Sequence, residues 1–244
     1  MFQPGGPTLL ELLDQALSST TAGYDKLAPK FDKTPFRTPD SVLAVMAREI
    51  GEERSVGSAL DLCCGTGAAM VHLRPLCRER IVGIDLSEGM LAVAGMAVRG
   101  ARGTAAVELV RGDVLALSED SSFDLVTSTG AFGHIEERDE PAFLGGIFRA
   151  LKPGGRFVFV TGRPPPPTSA WFWLAHGFNA AMHVRNAVLS PKFIMIYLTF
   201  LWPEVRAKLE AAGFRVDARM GLFPSPYERG VLVTATRPRK DTIP

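Results

Sequence analysis

The stretch Ala59–Met70 reads ALDLCCGTGAAM: an aspartate, two adjacent cysteines and a Gly-Thr-Gly turn, where an apolar run gives way to a helical pattern. Adjacent cysteines invite a thiol reading, but they bridge only with backbone strain. The chain holds 3 cysteines and 4 histidines with no His-Cys ligand spacing, so no metal site is expected. The glycines point elsewhere. Gly65 and Gly67 let a ligand approach the main chain closely, as cofactor loops do where they open a helix. Alone, the motif occurs in nicotinamide sites, flavin sites and ligand-free turns. Asp85 narrows the choice. It ends the apolar run of RIVGIDLS, where a carboxylate can accept hydrogen bonds from both hydroxyls of a ribose, and Ser87 is placed to cap the next helix and leave Asp85 free. Asp113 in LVRGDVLAL falls in the same layer. Three acids along one sheet edge suit a ligand with hydroxyls, an amino group and positive charge, and suit a pyrophosphate much less well.

The elements that must position these residues alternate. Strands are predicted over 58–62, 80–84, 106–110, 123–128 and 156–161, with helices over 67–77, 88–99 and 139–151 between them. Such alternation implies right-handed crossovers and a parallel sheet covered on both faces. Upstream, leucines at 9, 10, 12, 13 and 17 mark a helix over 8–18, and a short helix follows over 21–28. A third begins with Thr38 as its cap and Pro39 at its first position, and Gly51 is its expected stop. Downstream come four prolines at 164–167, a long apolar segment, the helix PEVRAKLEAAGF and two closing strands over 214–220 and 231–236, the last of them read as antiparallel.

In order and spacing, LDLCCGTG, VGIDLSEGML, VRGDVLALSEDSSFDLVTS and LKPGGRFVFV resemble the class I S-adenosylmethionine-dependent methyltransferases of the small-molecule type, which include quinone-biosynthesis enzymes. The likeness covers about 58–161, and GYDKLAPKFD resembles the family's N-terminal aromatic segment. It implies an α/β, Rossmann-like, seven-stranded, mostly parallel sheet of order 3-2-1-4-5-7-6, with the seventh strand antiparallel and helices on both faces. It also implies an N-terminal helical lid over 1–55 and a core over 56–244, with 163–202 as a helical substrate-cap insertion. S-adenosylmethionine is the implied cofactor and S-adenosylhomocysteine its product. By position, Asp61 would face the methionine ammonium, and the backbone of Cys63 to Gly67, through Thr66, would pass under methionine and ribose. Asp85 would hold the ribose diol, Leu86 and Met90 the adenine, and Asp113 with the Val114 main chain the adenine amino group. Thr129 and Gly130 would line the methionine, and Tyr24 would fold over it. Arg37 and Lys33 on the same stretch could reach the cofactor carboxylate, although a solvated surface role is favoured for each. Pro153, Gly154 and Gly155 are read as a turn between helix and strand.

Methyl transfer from a sulfonium is an in-line displacement, so a general base is needed only where the acceptor must lose a proton. His134 in STGAFGHIEE is the candidate base, against a histidine that only shapes its loop. Phe132 beside it offers an aromatic face to positive charge. Candidate acceptor contacts are Phe132, His134, Trp171, His176 and Phe178. The three tryptophans, 171, 173 and 202, all lie in the apolar segment 169–202. That segment is read as a substrate cap, an interface for a partner or second copy, or a peripheral membrane contact, and its longest clean run is too short to span a bilayer.

The 244 residues suit one large domain, or one domain with an insertion. Lys+Arg 27 against Asp+Glu 26, a net charge of +1, gives no reason to expect nucleic acid as a partner. The few cysteines and the absence of a signal-peptide pattern favour a cytoplasmic protein. The resemblance, together with the apolar segment 169–202, implies a small, hydrophobic or aromatic methyl acceptor, methylated at oxygen before nitrogen or carbon. Two rivals stand beside this expectation. One is a protein that binds the cofactor without transferring methyl. The other is a nicotinamide-dependent oxidoreductase, disfavoured because Met70 stands where GxGxxG requires glycine.

Overall fold

A computed structural model describes residues 4–53, 55–118 and 120–239. Its centre is β1 (Val56–Leu62), buried at all seven positions, as expected for a parallel strand covered on both faces. Around it run β2 (Cys77–Asp85), β3 (Ala106–Arg111), β4 (Phe123–Ser128), β5 (Leu151–Thr161), β6 (Arg215–Met220) and β7 (Val231–Thr236). The sheet order is β3-β2-β1-β4-β5-β7-β6. β1 to β5 are parallel, and β7 is antiparallel to both β5 and β6, so the predicted order and the reversed last strand are both present.

Helices α3 (Asp40–Glu53), α4 (Ala68–Leu73) and α5 (Glu88–Gly100) accompany the cluster of Met46, Ile50, Met70, Leu73, Ile81 and Val98 on one face. On the other, α6 (Glu140–Ala150) and α8 (Glu204–Ala211) enclose Phe143, Ile147, Phe157, Phe159, Val205 and Leu209. The remaining helices are α1 (Leu9–Leu17), α2 (Thr20–Leu27) and α7 (Ala170–Val188); α1 packs on α2, which reaches the carboxyl ends of the strands through Tyr24. Two local expectations are corrected. α3 runs through Gly51 to Glu53, because a Cβ at Gly51 would lie 3.2 Å from Leu76, so this glycine serves close packing rather than a stop. Pro153 to Gly155 does not separate helix from strand. It lies within β5 as a register irregularity, with Gly154 at φ +81° and the pairing jumping from Leu151 to Arg156.

The order reverses between β1, whose chain crosses to β2 on one side, and β4 on the other. Diverging crossovers leave a crevice at the carboxyl ends of these strands, where open α/β sheets take ligands.

Candidate functional site

The crevice is an open cleft lined by the turn after β1, the end of β2, the end of β4 and the segment 20–38. The turn after β1 forms its base. Gly65 sits at φ +53°, and a Cβ there would meet nothing within 4 Å, so the main chain is bare toward the cleft. Gly67, at φ +80°, is constrained differently: a Cβ would lie 2.7 Å from Val98 Cγ2 of α5. Cys63 lines the cleft at φ +51°, a left-handed backbone that costs a non-glycine residue about 1–2 kcal/mol. Here the usual order of side-chain truncation should invert: Cys63→Gly is expected to be more stable than Cys63→Ala by about 1 kcal/mol. Urea denaturation of both variants checks this, and an equally or more stable alanine variant would show that the turn is unstrained. All three thiols are held well above their ordinary range, chiefly by burial, and pack as apolar groups.

Asp85 stands at the end of β2 and lines the cleft. Ser87 does cap α5, accepting from Met90 N–H, but Asp85 is not thereby left free. Gly65 N–H donates to its Oδ2 at 2.8 Å and Ser87 N–H to its Oδ1 at 2.9 Å, which fixes the carboxylate plane and leaves each oxygen a second lone pair. Burial raises its pKa, and the Ser87 and Gly65 donors oppose that rise. Leu86 and Met90 line the same wall, Leu86 half exposed and Met90 buried. Asp61, at 1% exposure, does not line the cleft. Its Oδ1 accepts from Thr127 Oγ1 at 2.7 Å, its Oδ2 has no partner, and burial pushes its pKa up to about 7. Thr66, Val114, Thr129 and Gly130 line the cleft. Asp113 is exposed outside it and caps the following turn, accepting from Leu115 N–H at 2.9 Å.

The roof is the segment 20–38. Tyr24 on α2 reaches across to His134, Oη to Nε2 at 2.8 Å. His134 Nδ1 lies 2.5 Å from the Ile194 carbonyl oxygen, which can only accept, so Nδ1 carries the ring proton and Nε2 accepts from the Tyr24 hydroxyl. Burial lowers the histidine pKa and raises that of the phenol, so the pair is neutral. Two latches hold the roof down. Asp25 accepts from Ser87 Oγ at 2.6 Å and Gly89 N–H at 2.9 Å, placing a carboxylate at the start of α5. Asp32 accepts from Thr66 Oγ1 at 2.6 Å, joining the roof to the glycine turn. Arg37 lines the cleft, paired to Asp40, and its buried Nε lies 3.2 Å from Asp32 Oδ1 without hydrogen-bond alignment. Lys33 does not line it.

Other expected acceptor contacts lie elsewhere. Phe132 is buried in the core, stacked on Phe200 at 4.3 Å and edge-on to Phe159. On α7, Trp171 and Phe178 pack on Tyr197, and His176 packs on Phe172; none of the three lines the cleft. Asp25 and Asp32 carry no local signal in the sequence. An aspartate among lysines on a short helix reads as a solvated charge, and its partners lie far along the chain.

The Methyltransferase domain family matches residues 59–155. A demethylmenaquinone methyltransferase of Shouchella clausii is 35% identical over 140 residues, which span 56% of this chain and 58% of that protein. The chain therefore covers less than two thirds of this relative. A demethylmenaquinone methyltransferase of Thermus thermophilus is 35% identical over 188 residues, 72% of this chain and 83% of that one. Among solved structures, the DhpI–SAH complex superposes with a TM-score of 0.66 at 22% identity, over 96% of this chain and 100% of the other, a likeness of fold.

Proposed function

Because the chain belongs to the class I S-adenosylmethionine-dependent methyltransferases, we propose that it transfers the cofactor's methyl group to a hydrophobic, aromatic acceptor of quinone type bearing an ionisable hydroxyl. The observation that carries this reading is convergence on one cleft. The bare backbone at Gly65, the fixed Asp85 carboxylate and the Tyr24–His134 pair all face the same space. The acceptor class follows the relatives, which are named for demethylmenaquinone, and suits a roof that brings Phe31 and Phe36 to the cleft. The reading is tested with cofactor carrying a deuterated methyl group and a reduced, demethylated naphthoquinone. Mass spectrometry should find the label in the quinone. No transfer to any quinol, with S-adenosylhomocysteine still bound, would make the chain a cofactor-binding protein without this activity.

The residues fit the cofactor. The Cys63–Gly67 backbone would underlie methionine and ribose, Asp85 would take the ribose hydroxyls, and Leu86 with Met90 would flank the adenine. The unpartnered Asp61 Oδ2 is the counter-charge that a buried ammonium needs, directly or through water. When bound, S-adenosylmethionine supplies an electrophilic methyl whose leaving group becomes neutral. The protein then has to align the acceptor, exclude water and accept one proton. In our reading the acceptor hydroxyl passes its proton to Tyr24 Oη as Tyr24 passes its own to His134 Nε2. The imidazolium keeps its Nδ1–H bond to Ile194, with the Asp85 charge favouring it.

Asp61 gives this fit a proton signature. With a pKa near 7 it is mostly protonated at pH 6 and mostly ionised at pH 8 in the ligand-free protein. A cation beside it favours the carboxylate, so binding of S-adenosylhomocysteine, which keeps the ammonium, should release a proton at pH 6 and release little at pH 8. Calorimetry in buffers of different ionisation enthalpy measures the release. Asp61→Asn should abolish it, and equal release in that variant would assign the proton to another group.

No helix among the described residues is long and apolar enough to cross a membrane. α1, however, is turned outward. Its acids Glu11 and Asp14 are paired to Lys30 and Lys26, while Leu9 and Leu10 are 81% and 78% exposed. Trp173, Leu174, Val184 and Val188 of α7 are exposed as well, and Arg185 of α7 donates to Ala16 and Ser18 carbonyls at the end of α1. We assign this face to a peripheral contact with the bilayer that would hold a lipid-soluble acceptor. Wild type should co-sediment with anionic vesicles, and a Leu10→Ser, Leu13→Ser variant should not. A protein that stays in the supernatant and dimerises through this face would replace the bilayer with a second copy.

A further inference from the structure

The segment 193–197 runs extended between α7 and the loop that carries His134. Its backbone groups alternate between two edges, as in a β-strand. On one edge, Ile194 N–H donates to Thr20 Oγ1 at 2.9 Å, Ile194 C=O accepts from His134 Nδ1, and Ile196 N–H donates to Gly133 C=O at 2.8 Å. The other edge has no neighbouring strand. Two asparagines of α7 take that place. Asn186 accepts from Phe193 N–H at 3.0 Å and donates to Phe193 C=O at 2.9 Å. Asn179 accepts from Tyr197 N–H at 2.8 Å and donates to Tyr197 C=O at 2.9 Å. Two helical turns separate the asparagines, a rise of about 10.5 Å, and four extended residues, about 13 Å, separate their targets. The helix therefore grips the strap at two points and sets its register.

We propose that Asn179 and Asn186 are positioning residues for His134: by pinning Phe193 and Tyr197 they hold the Ile194 carbonyl at Nδ1, and so keep Nε2 bare and aimed at Tyr24. This rests on the reading that His134 takes the acceptor's proton, and it adds that the cap helix sets which ring nitrogen is free to do so. The opposite edge is as tightly specified. A Cβ at Gly133 would lie 2.6 Å from the Ile196 carbonyl oxygen, so any side chain there displaces the strap. Without the strap the imidazole could take either tautomer, and in the Nε2–H form Tyr24 would meet a donor in place of an acceptor.

The test is ¹⁵N-resolved spectroscopy of the histidine rings in the full chain, with turnover measured on the same samples. In wild type, His134 should show one neutral tautomer protonated at Nδ1. In Asn179→Leu, Asn186→Leu and separately in Gly133→Ala, its two nitrogen shifts should converge as the tautomers mix. kcat should fall about tenfold or more, with S-adenosylhomocysteine affinity kept. Should the double variant not fold, Asn186→Asp keeps the acceptor for Phe193 N–H and removes the donor to its carbonyl, and should give a smaller shift in the same direction. Unchanged His134 shifts in Gly133→Ala and in the folded asparagine variants would overturn the proposal, whatever the rates do. Altered shifts with undiminished kcat would sustain the positioning role and instead remove His134 from proton transfer.

Discussion

Replacing His134 with alanine is expected to lower kcat by about 10²–10⁴, the usual contribution of a positioned acid or base, with cofactor affinity little changed. Three observations set this size. Nε2 is bare because Nδ1–H is committed to Ile194; Tyr24 already donates to it at 2.8 Å; and both groups line the cleft. Alanine also frees the strap, so a second substitution isolates the proton path. Tyr24→Phe keeps the ring contacts to Phe31, Phe193 and His134 and removes only the hydroxyl. It should cost kcat at least about tenfold, and stability by no more than the ~1–3 kcal/mol of one lost buried hydrogen bond. The pH profile supplies the sign. Burial lowers the His134 pKa from 6.5, so the neutral base persists below that value. The rate should stay level as pH falls through 6.5 and drop only at more acidic pH. A variant pair with near-normal kcat would leave His134 as a loop-shaping residue.

Asp85→Ala is the second large effect, expected to weaken binding of S-adenosylhomocysteine at least about tenfold, on the order of 1.4 kcal/mol. The carboxylate would hold the ribose and also brace the turn, since it accepts from both Gly65 and Ser87 N–H. Alanine removes the ligand contact and leaves two backbone donors without their partner, so the loss exceeds that of one hydrogen bond. Asp85→Asn keeps one accepting oxygen and should fall between. Asp113 serves as the contrast. It is exposed and spent on capping its own turn, so Asp113→Ala should weaken binding far less. Equal losses at the two positions, measured by titration calorimetry, would mean that the adenine side carries as much of the affinity as the ribose side.

Residues that act through their own strand end were legible in the sequence. The glycine turn, Asp61 and Asp85 sit where β1 and β2 stop, and strand alternation alone places those stops along one sheet edge. The roof was legible only as a segment. Tyr24 could be named as a lid aromatic, but its partner lies 110 residues away, and Asp25 and Asp32 reach Ser87 and Thr66 across 62 and 34 residues. No local pattern encodes such pairs. α7 shows a different limit. Its segment is apolar nearly all round, so periodicity does not say which side faces the cleft, and Trp171, His176 and Phe178 turn out to pack along the helix and on Tyr197. Its two asparagines carry the information that hydrophobicity lacked, since each binds both backbone groups of one strap residue. Phe132 lies two residues from His134, but residues of a tight turn point in different directions, and Phe132 packs into the core.

On this reading the cleft over Gly65 cradles S-adenosylmethionine and not a dinucleotide. Titration calorimetry of the full chain with S-adenosylhomocysteine and, separately, with NAD tests it most directly. Saturable binding of S-adenosylhomocysteine is expected, weakened at least about tenfold by Asp85→Ala, with no heat of binding for NAD. Saturable binding of NAD with none of S-adenosylhomocysteine would contradict it.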